Sequence, residues 1–101
     1  MSEVSLPFRR EMEEAIINST KCCTSRTRKH GDSGDYFCVR LKWFRITNVD
    51  ERPLSYVAEN LYVKEGFDEP QGFIDIWCDI HPTKGWVPDQ KVYVHYFEPI
   101  T

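Results

Sequence analysis

Ile16-Ile17-Asn18-Ser19-Thr20-Lys21-Cys22-Cys23-Thr24-Ser25-Arg26 is followed, after Thr27, by the polar run Arg28-Lys29-His30-Gly31-Asp32-Ser33-Gly34-Asp35. The stretch gathers an amine, hydroxyls and basic side chains between a short helical pattern and an aromatic strand. Upstream, Arg9 to Ile17 carries Met12, Ala15 and Ile16 at helical spacing with Glu11, Glu13 and Glu14 between them. Pro7 suits the approach to that helix, and Asn18-Ser19 suits its C-terminal turn. Residues 21–26 predict a strand. Residues 28–35 predict a loop that turns at Gly31 and Gly34.

Working outward, Tyr36 to Arg40 and Trp43 to Val49 alternate as half-buried strands joined by Leu41-Lys42. Tyr36, Phe37, Trp43 and Phe44 are read as core. Pro53 closes the strand region. Leu54, Val57, Ala58, Leu61 and Tyr62 then share one helical face over residues 54–63, and Gly66 breaks that helix. Asp68-Glu69-Pro70 suits a second helix start, with Phe73, Ile74, Trp77 and Ile80 at helical spacing up to His81-Pro82. Residues 83–89 form a loop, and Gln90 to Phe97 a last strand. The order is helix, three strands, two helices, strand. An α+β fold built on a small β-barrel with flanking helices is the natural package.

A length of 101 residues sets one domain, 1–101, as the expectation. Hydrophobic content of 41% suffices for one modest core rather than a disordered tail. A net charge of −3 excludes a polycation, so nucleic-acid binding has to come from a local patch. Arg26, Arg28, Lys29 and His30 are the candidates, with Arg9 and Arg10 as further members. The first residues carry no apolar run of a signal peptide, and nothing approaches the roughly 20 apolar residues of a membrane span. The chain therefore reads as cytoplasmic, with reduced thiols and no membrane partner. Adjacent Cys22 and Cys23 are poor zinc geometry, because neighbouring strand side chains point to opposite faces. Cys38 and Cys78 read as small core hydrophobes. No metal and no cofactor is expected, and a monomer is.

Several of these motifs together resemble the ASCH domain, a PUA-like small β-barrel. Its signature is a helix end, a Gly, then Lys, two residues, Thr, one residue and Arg, which Lys21, Thr24 and Arg26 match. Gly31 to Phe37 resembles the family's Gly-Asp turn into the second strand. Glu65-Gly66-Phe67, Phe73, Trp77 and His81-Pro82 resemble its helical insertion, and Val92 to Phe97 its final strand. The family usually has Gly where this chain has Ser19, at a position suited to a left-handed helix cap. The resemblance implies RNA or nucleotide binding beside the barrel. One subgroup of about this length hydrolyses N(4)-acetylcytidine to cytidine and acetate. Its Lys, Thr and Glu fall on Lys21, Thr24 and Glu65.

Chemistry sets conditions on that set. A Thr hydroxyl is inert unless a base takes its proton, and Lys21 serves only if neutral. The plain alternatives are an ordinary strand Thr24, a solvated Lys21, and a Glu65 that is a solvated helix end or the ion-pair partner of Lys21. On a regular strand Lys21 and Thr24 point to opposite faces, about 10 Å apart. They cooperate only if Lys21 lies in the turn before the strand or the strand bulges, and one of these is predicted. Arg26 shares a face with Thr24, and its fork suits a phosphate or carbonyl oxygen. Its alternative is a pair with an acid such as Asp35. Arg28 and Lys29 are either a solvated loop or phosphate contacts. Trp86, between Gly85 and Pro88, is the base-stacking candidate. Two functions follow: a pocket for RNA or a modified nucleoside with amide hydrolysis, or a non-catalytic RNA-binding module. A pocket demands convergence of Lys21, Thr24 and Glu65, whereas a plain binder needs an open basic groove. A protein-interaction domain would instead show a flat apolar patch.

Overall fold

Four strands and three helices account for most of the chain in the computed structural model, which describes residues 1–101. Helix α1 (Arg10–Ile17) is followed by β1 (Cys23–Arg26), β2 (Tyr36–Val39) and β3 (Lys42–Pro53). Helices α2 (Leu54–Asn60) and α3 (Pro70–Ile80) precede β4 (Lys91–Pro99). The strands form one antiparallel sheet in the order β1-β4-β3-β2, curled into a half-barrel. Strand β1 is therefore an edge. At the other edge, the N-terminal segment lies parallel to β2, with Val4 N–H donating to the Tyr36 carbonyl at 2.8 Å. No helix is long and apolar enough to cross a membrane.

Strand periodicity sorts the two faces. Cross-strand partners share a face, so Cys23, Ser25, Val94 and Tyr96 lie on one side, and Thr24 and His95 on the other. The first side packs Cys23, Val92 and Val94 against Leu54, Val57, Ala58 and Leu61 of the α2 region and Phe73 and Trp77 of α3. The second core gathers Leu6, Ile16, Phe37, Val39, Phe44, Ile46 and Phe97. Its aromatic trio is tight: Phe37 stacks on Phe44 at 5.7 Å, and Phe97 meets Phe37 edge-on at 5.2 Å.

Several boundaries differ from the sequence reading. The β2–β3 turn is Arg40-Leu41, not Leu41-Lys42, because Val39 pairs with Lys42. Strand β3 runs on to Pro53 past an irregularity between Ile46 and Asn48. Beyond that point only β4 flanks it, so Asp50, Glu51 and Arg52 sit on a strand with one free edge. Cys38 is exposed and Cys78 half-buried, so neither is a core hydrophobe. On β2 the inward positions go to Phe37 and Val39, which turns Cys38 outward. Tyr36 and Trp43 likewise leave the core and meet edge-to-face outside it, with Trp43 42% exposed.

Candidate functional site

Helix α1 ends in a Schellman motif that delivers Lys21. Thr20 N–H donates to the Ala15 carbonyl at 2.9 Å and Ser19 N–H to that of Ile16 at 3.1 Å, with Ser19 at φ +65°. Ser19 thus holds the left-handed position where glycine is usual. Lys21 N–H also donates to Ala15. The chain is then clamped from both sides. Cys22 and Cys23 N–H both donate to the Lys64 carbonyl, and Phe97 N–H donates to that of Cys22. Lys21 accordingly precedes β1, as the predicted turn required.

Its amine is not solvated. Lys21 is 4% exposed and Glu65 3%. The three ammonium hydrogens have three acceptors: the Cys23 carbonyl at 2.8 Å, Glu65 Oε1 at 2.9 Å and the Glu65 carbonyl at 3.1 Å. Ser25 Oγ donates to Glu65 Oε2 at 2.6 Å, so both carboxylate oxygens are held. Glu65 sits in the turn after α2, where its N–H donates to the Leu61 carbonyl. Gly66 follows at φ +101°. A Cβ there would stand 3.3 Å from Lys21 Cβ, so glycine permits both the turn and the close approach.

Lys21, Thr24, Ser25, Arg26 and Glu65 all line one cavity of about 520 Å³, within the range of small-molecule sites. Its far wall is apolar, formed by Phe73, Ile76, Trp77 and Ile80 of α3 together with Phe67. Its lip comprises Pro7, Phe8, Arg9 and Met12. His81 stacks on Trp77 with ring centroids 4.1 Å apart. Thr24 and Ser25 point to opposite faces of β1, yet both reach the cavity. A free sheet edge lets side chains from both faces border one space.

Around Thr24 the contacts are sparse. Arg26 Nε donates to Thr24 Oγ1 at 3.4 Å and Nη2 to the Pro7 carbonyl at 2.7 Å, while the guanidinium lies 4.9 Å from the Phe8 ring centroid. Burial lowers the Arg26 pKa, and the Glu65 charge partly offsets this. Asp35 is not its partner, since that carboxylate accepts from Ser2 and Asp32 N–H. Beneath Thr24 lies His95, fully buried. Its Nε2 accepts from His30 N–H at 3.0 Å, and its Nδ1 stands 3.4 Å from the Thr24 carbonyl. The acceptor role puts the ring proton on Nδ1. Desolvation by burial lowers the His95 pKa. The Cys23 thiol is pushed far above its ordinary range, first by burial and then by Glu65, so it is no nucleophile.

Other candidates lie apart. Arg28 and Lys29 are exposed outside the cavity lining, and Lys29 pairs with Asp32. Trp86 is half-buried, edge-on to Phe73 at 6.2 Å, and does not line the cavity. Ser25 and His95 went unrecognised in the sequence. Strand period set Ser25 on the face away from Thr24, and His95 looked like any strand residue. No group of three or more His, Cys, Asp or Glu side chains is placed to hold a metal ion.

No protein-family model matches the sequence, and neither does any curated protein. Solved structures do resemble the fold. An ASCH domain from Lactobacillus crispatus JV V101 superposes with a TM-score of 0.70 at 12% identity, over 97% of this chain and 78% of that one. A protein of the DUF984 family from Enterococcus faecalis V583 gives 0.66 at 15% identity, over 98% and 78%. The helix, the half-barrel and the helical segment before the last strand together make this chain's fold that of an ASCH domain.

Proposed function

We propose that the cavity along the β1 edge binds a modified pyrimidine nucleoside, alone or within RNA, and cleaves an acyl group from its exocyclic nitrogen, as in N(4)-acetylcytidine. One observation carries this reading: Lys21, Thr24 and Glu65 border a single partly apolar cavity rather than an open basic groove. The apolar α3 wall suits a base, and the buried Lys–Glu pair suits proton traffic. The proton passes from Lys21 Nζ to Glu65 Oε1 along their 2.9 Å contact.

Thr24 Oγ1 then adds to the acyl carbonyl and gives its proton to the neutral Lys21 amine. As the C–N bond breaks, Glu65 returns its proton to the leaving nitrogen, which departs as the amino group of cytidine. Water then adds to the acyl-threonine; one of its protons goes to the departing Thr24 oxygen and the other to solvent, leaving acetate and free Thr24. The charges on Lys21 and Glu65 are then as they began.

Incubation with N(4)-acetylcytidine tests this. The wild type releases cytidine, and Thr24→Ala loses at least 100-fold in rate while keeping its fold. Absence of turnover by the wild type overturns the hydrolase reading. The saturated hydrogen bonding of the Lys21 ammonium favours a second reading, a non-catalytic nucleoside or RNA module. There Lys21 and Glu65 are architecture, and Arg28 and Lys29 grip phosphates. That module binds RNA with strongly salt-dependent affinity and turns nothing over.

A further inference from the structure

One buried hydroxyl beside the cavity takes no part in the acylation steps. Ser25 is 7% exposed, borders the cavity, and donates from Oγ to Glu65 Oε2 at 2.6 Å. No protein group donates to that Oγ, so its lone pairs are free to accept. The Thr-x-Arg spacing leaves the middle residue open, and this chain fills it with Ser. A hydroxyl in short contact with a carboxylate, itself oriented by a third group, is the arrangement that makes an oxygen give up its proton. Lys21 is that third group, 2.9 Å from Glu65 Oε1.

The second half of the reaction needs a base for the attacking water. After acylation Lys21 is an ammonium whose three hydrogens already have acceptors. Glu65 Oε1 faces that ammonium, which leaves Oε2 as the basic oxygen, and Ser25 Oγ covers it. His95 is fully buried, with Nε2 occupied by His30 N–H.

Resting on the acyl-transfer reading above, we propose that Ser25 is a further catalytic residue, the relay that carries a proton from the hydrolytic water to Glu65. As the water oxygen bonds to the acyl carbon, one water proton moves to Ser25 Oγ and the Ser25 proton moves to Glu65 Oε2. The C=O π electrons shift onto the acyl oxygen. When they return, the bond from carbon to Thr24 Oγ1 breaks, its electron pair stays on that oxygen, and Lys21 protonates it. The neutral Lys21 amine then takes the carboxyl proton of the acetic acid, and acetate departs. Glu65 gives its proton to solvent, back through Ser25. In net, one water proton replaces the one given to Thr24 and the other reaches solvent. The hydrogen-bond direction already matches, since Ser25 donates toward Glu65 before water arrives.

Hydrolysis of N(4)-acetylcytidine by the wild type, Ser25→Ala, Ser25→Thr and His30→Gln tests the relay. Ser25→Ala lowers kcat by about 10²-fold, the lower end of what a proton-transfer group contributes. KM falls in proportion, so kcat/KM, which reports acylation, stays the same. Cytidine appears in a burst equal to the protein concentration, and mass spectrometry finds an acetyl group on Thr24. Ser25→Thr keeps the hydroxyl and recovers most of the rate. A merely structural role lowers kcat/KM as well and traps no acetyl group, and that result overturns the assignment. Acetyl-protein that accumulates in His30→Gln, on the cavity's other side, and not in Ser25→Ala also overturns it. If Ser25→Ala does not fold, decay of the acetylated wild type is followed by rapid quench in mixtures of light and heavy water. Two protons in flight bow the dependence of that decay on deuterium fraction, and a linear dependence overturns the relay. A wild type that never releases cytidine sinks the acyl-transfer reading and the relay with it, whereas a failed relay leaves wild-type turnover intact.

Discussion

Lys21 and Glu65 hold the largest local electrostatic stake in the molecule, because both are almost wholly buried and each satisfies the other. Removing one partner strands the other charge in a poorly solvating site. Lys21→Met is expected to lose about 3–5 kcal/mol of stability, measured by urea denaturation. Replacing both partners together, as Lys21→Met with Glu65→Leu, costs less than the single change. A loss below about 1 kcal/mol in Lys21→Met would show that the pair is solvated. This stability effect is why Thr24→Ala, which removes a hydroxyl and a methyl but strands no charge, is the cleaner probe of chemistry. His95 supplies a pH signature. Its folded-state pKa lies below the unfolded value of about 6.5, because burial opposes imidazolium. The unfolded chain takes up the proton first, so the contribution is complete above about pH 6.5 and declines as the pH falls toward the folded-state value. Urea midpoints fall between pH 7.5 and pH 5.5, and His95→Gln flattens that dependence. An equal slope in the variant would assign the effect to other groups.

At the scale of elements, two turns carry residues that their backbone disfavours. Ser19 at the helix cap has φ +65°, and the β2–β3 turn sets Arg40 at φ +48° and Leu41 at φ +68°. A two-residue hairpin with both central φ positive favours Asn and Gly. Arg40 is retained by contacts with Glu13 and Glu14 across to α1, whereas Leu41 is 93% exposed. Leu41→Gly and Ser19→Gly are each expected to stabilise by about 0.5–1 kcal/mol. Thermal melts check this, and a lowered Tm in both would contradict the turn geometry. Gly66→Ala should do the reverse, since it combines φ +101° with a close Lys21 Cβ. Most elements were legible from periodicity: α1, the aromatic β2, α3 behind Pro70, and β4 all lie within a few residues of the pattern. The far half of β3 was not. The alternation was read only from Trp43 to Val49, and Asp50-Glu51-Arg52 extends the strand without it because β2 stops short and leaves that part of β3 a free edge. The hairpin was misplaced by one residue for a related reason, since Arg40-Leu41 carries none of the usual turn chemistry.

On the whole-molecule scale, the half-barrel explains why the site was only partly legible. Sequence spacing put Lys21 and Thr24 on opposite faces of a strand and made their convergence conditional. Lys21 meets that condition from the turn before β1, and because β1 is the edge the cavity runs along it. The same topology brings in Ser25 from the face the period rule had set aside. It leaves Trp86 behind Phe73 and offers Trp77 on the apolar wall instead. Local patterns carry no information on which strand ends a sheet, so this part of the site could come only from the fold. The central claim of the proposed function is that a nucleoside binds in this edge cavity and on no other surface. Titrating N(4)-acetylcytidine into ¹⁵N-labelled protein reads it directly from the tryptophan indole signals. The signal of Trp77, on the cavity wall, is predicted to shift while that of Trp43, outside the cavity, stays in place. A shift at Trp43 with none at Trp77, or no shift at either, would contradict the claim.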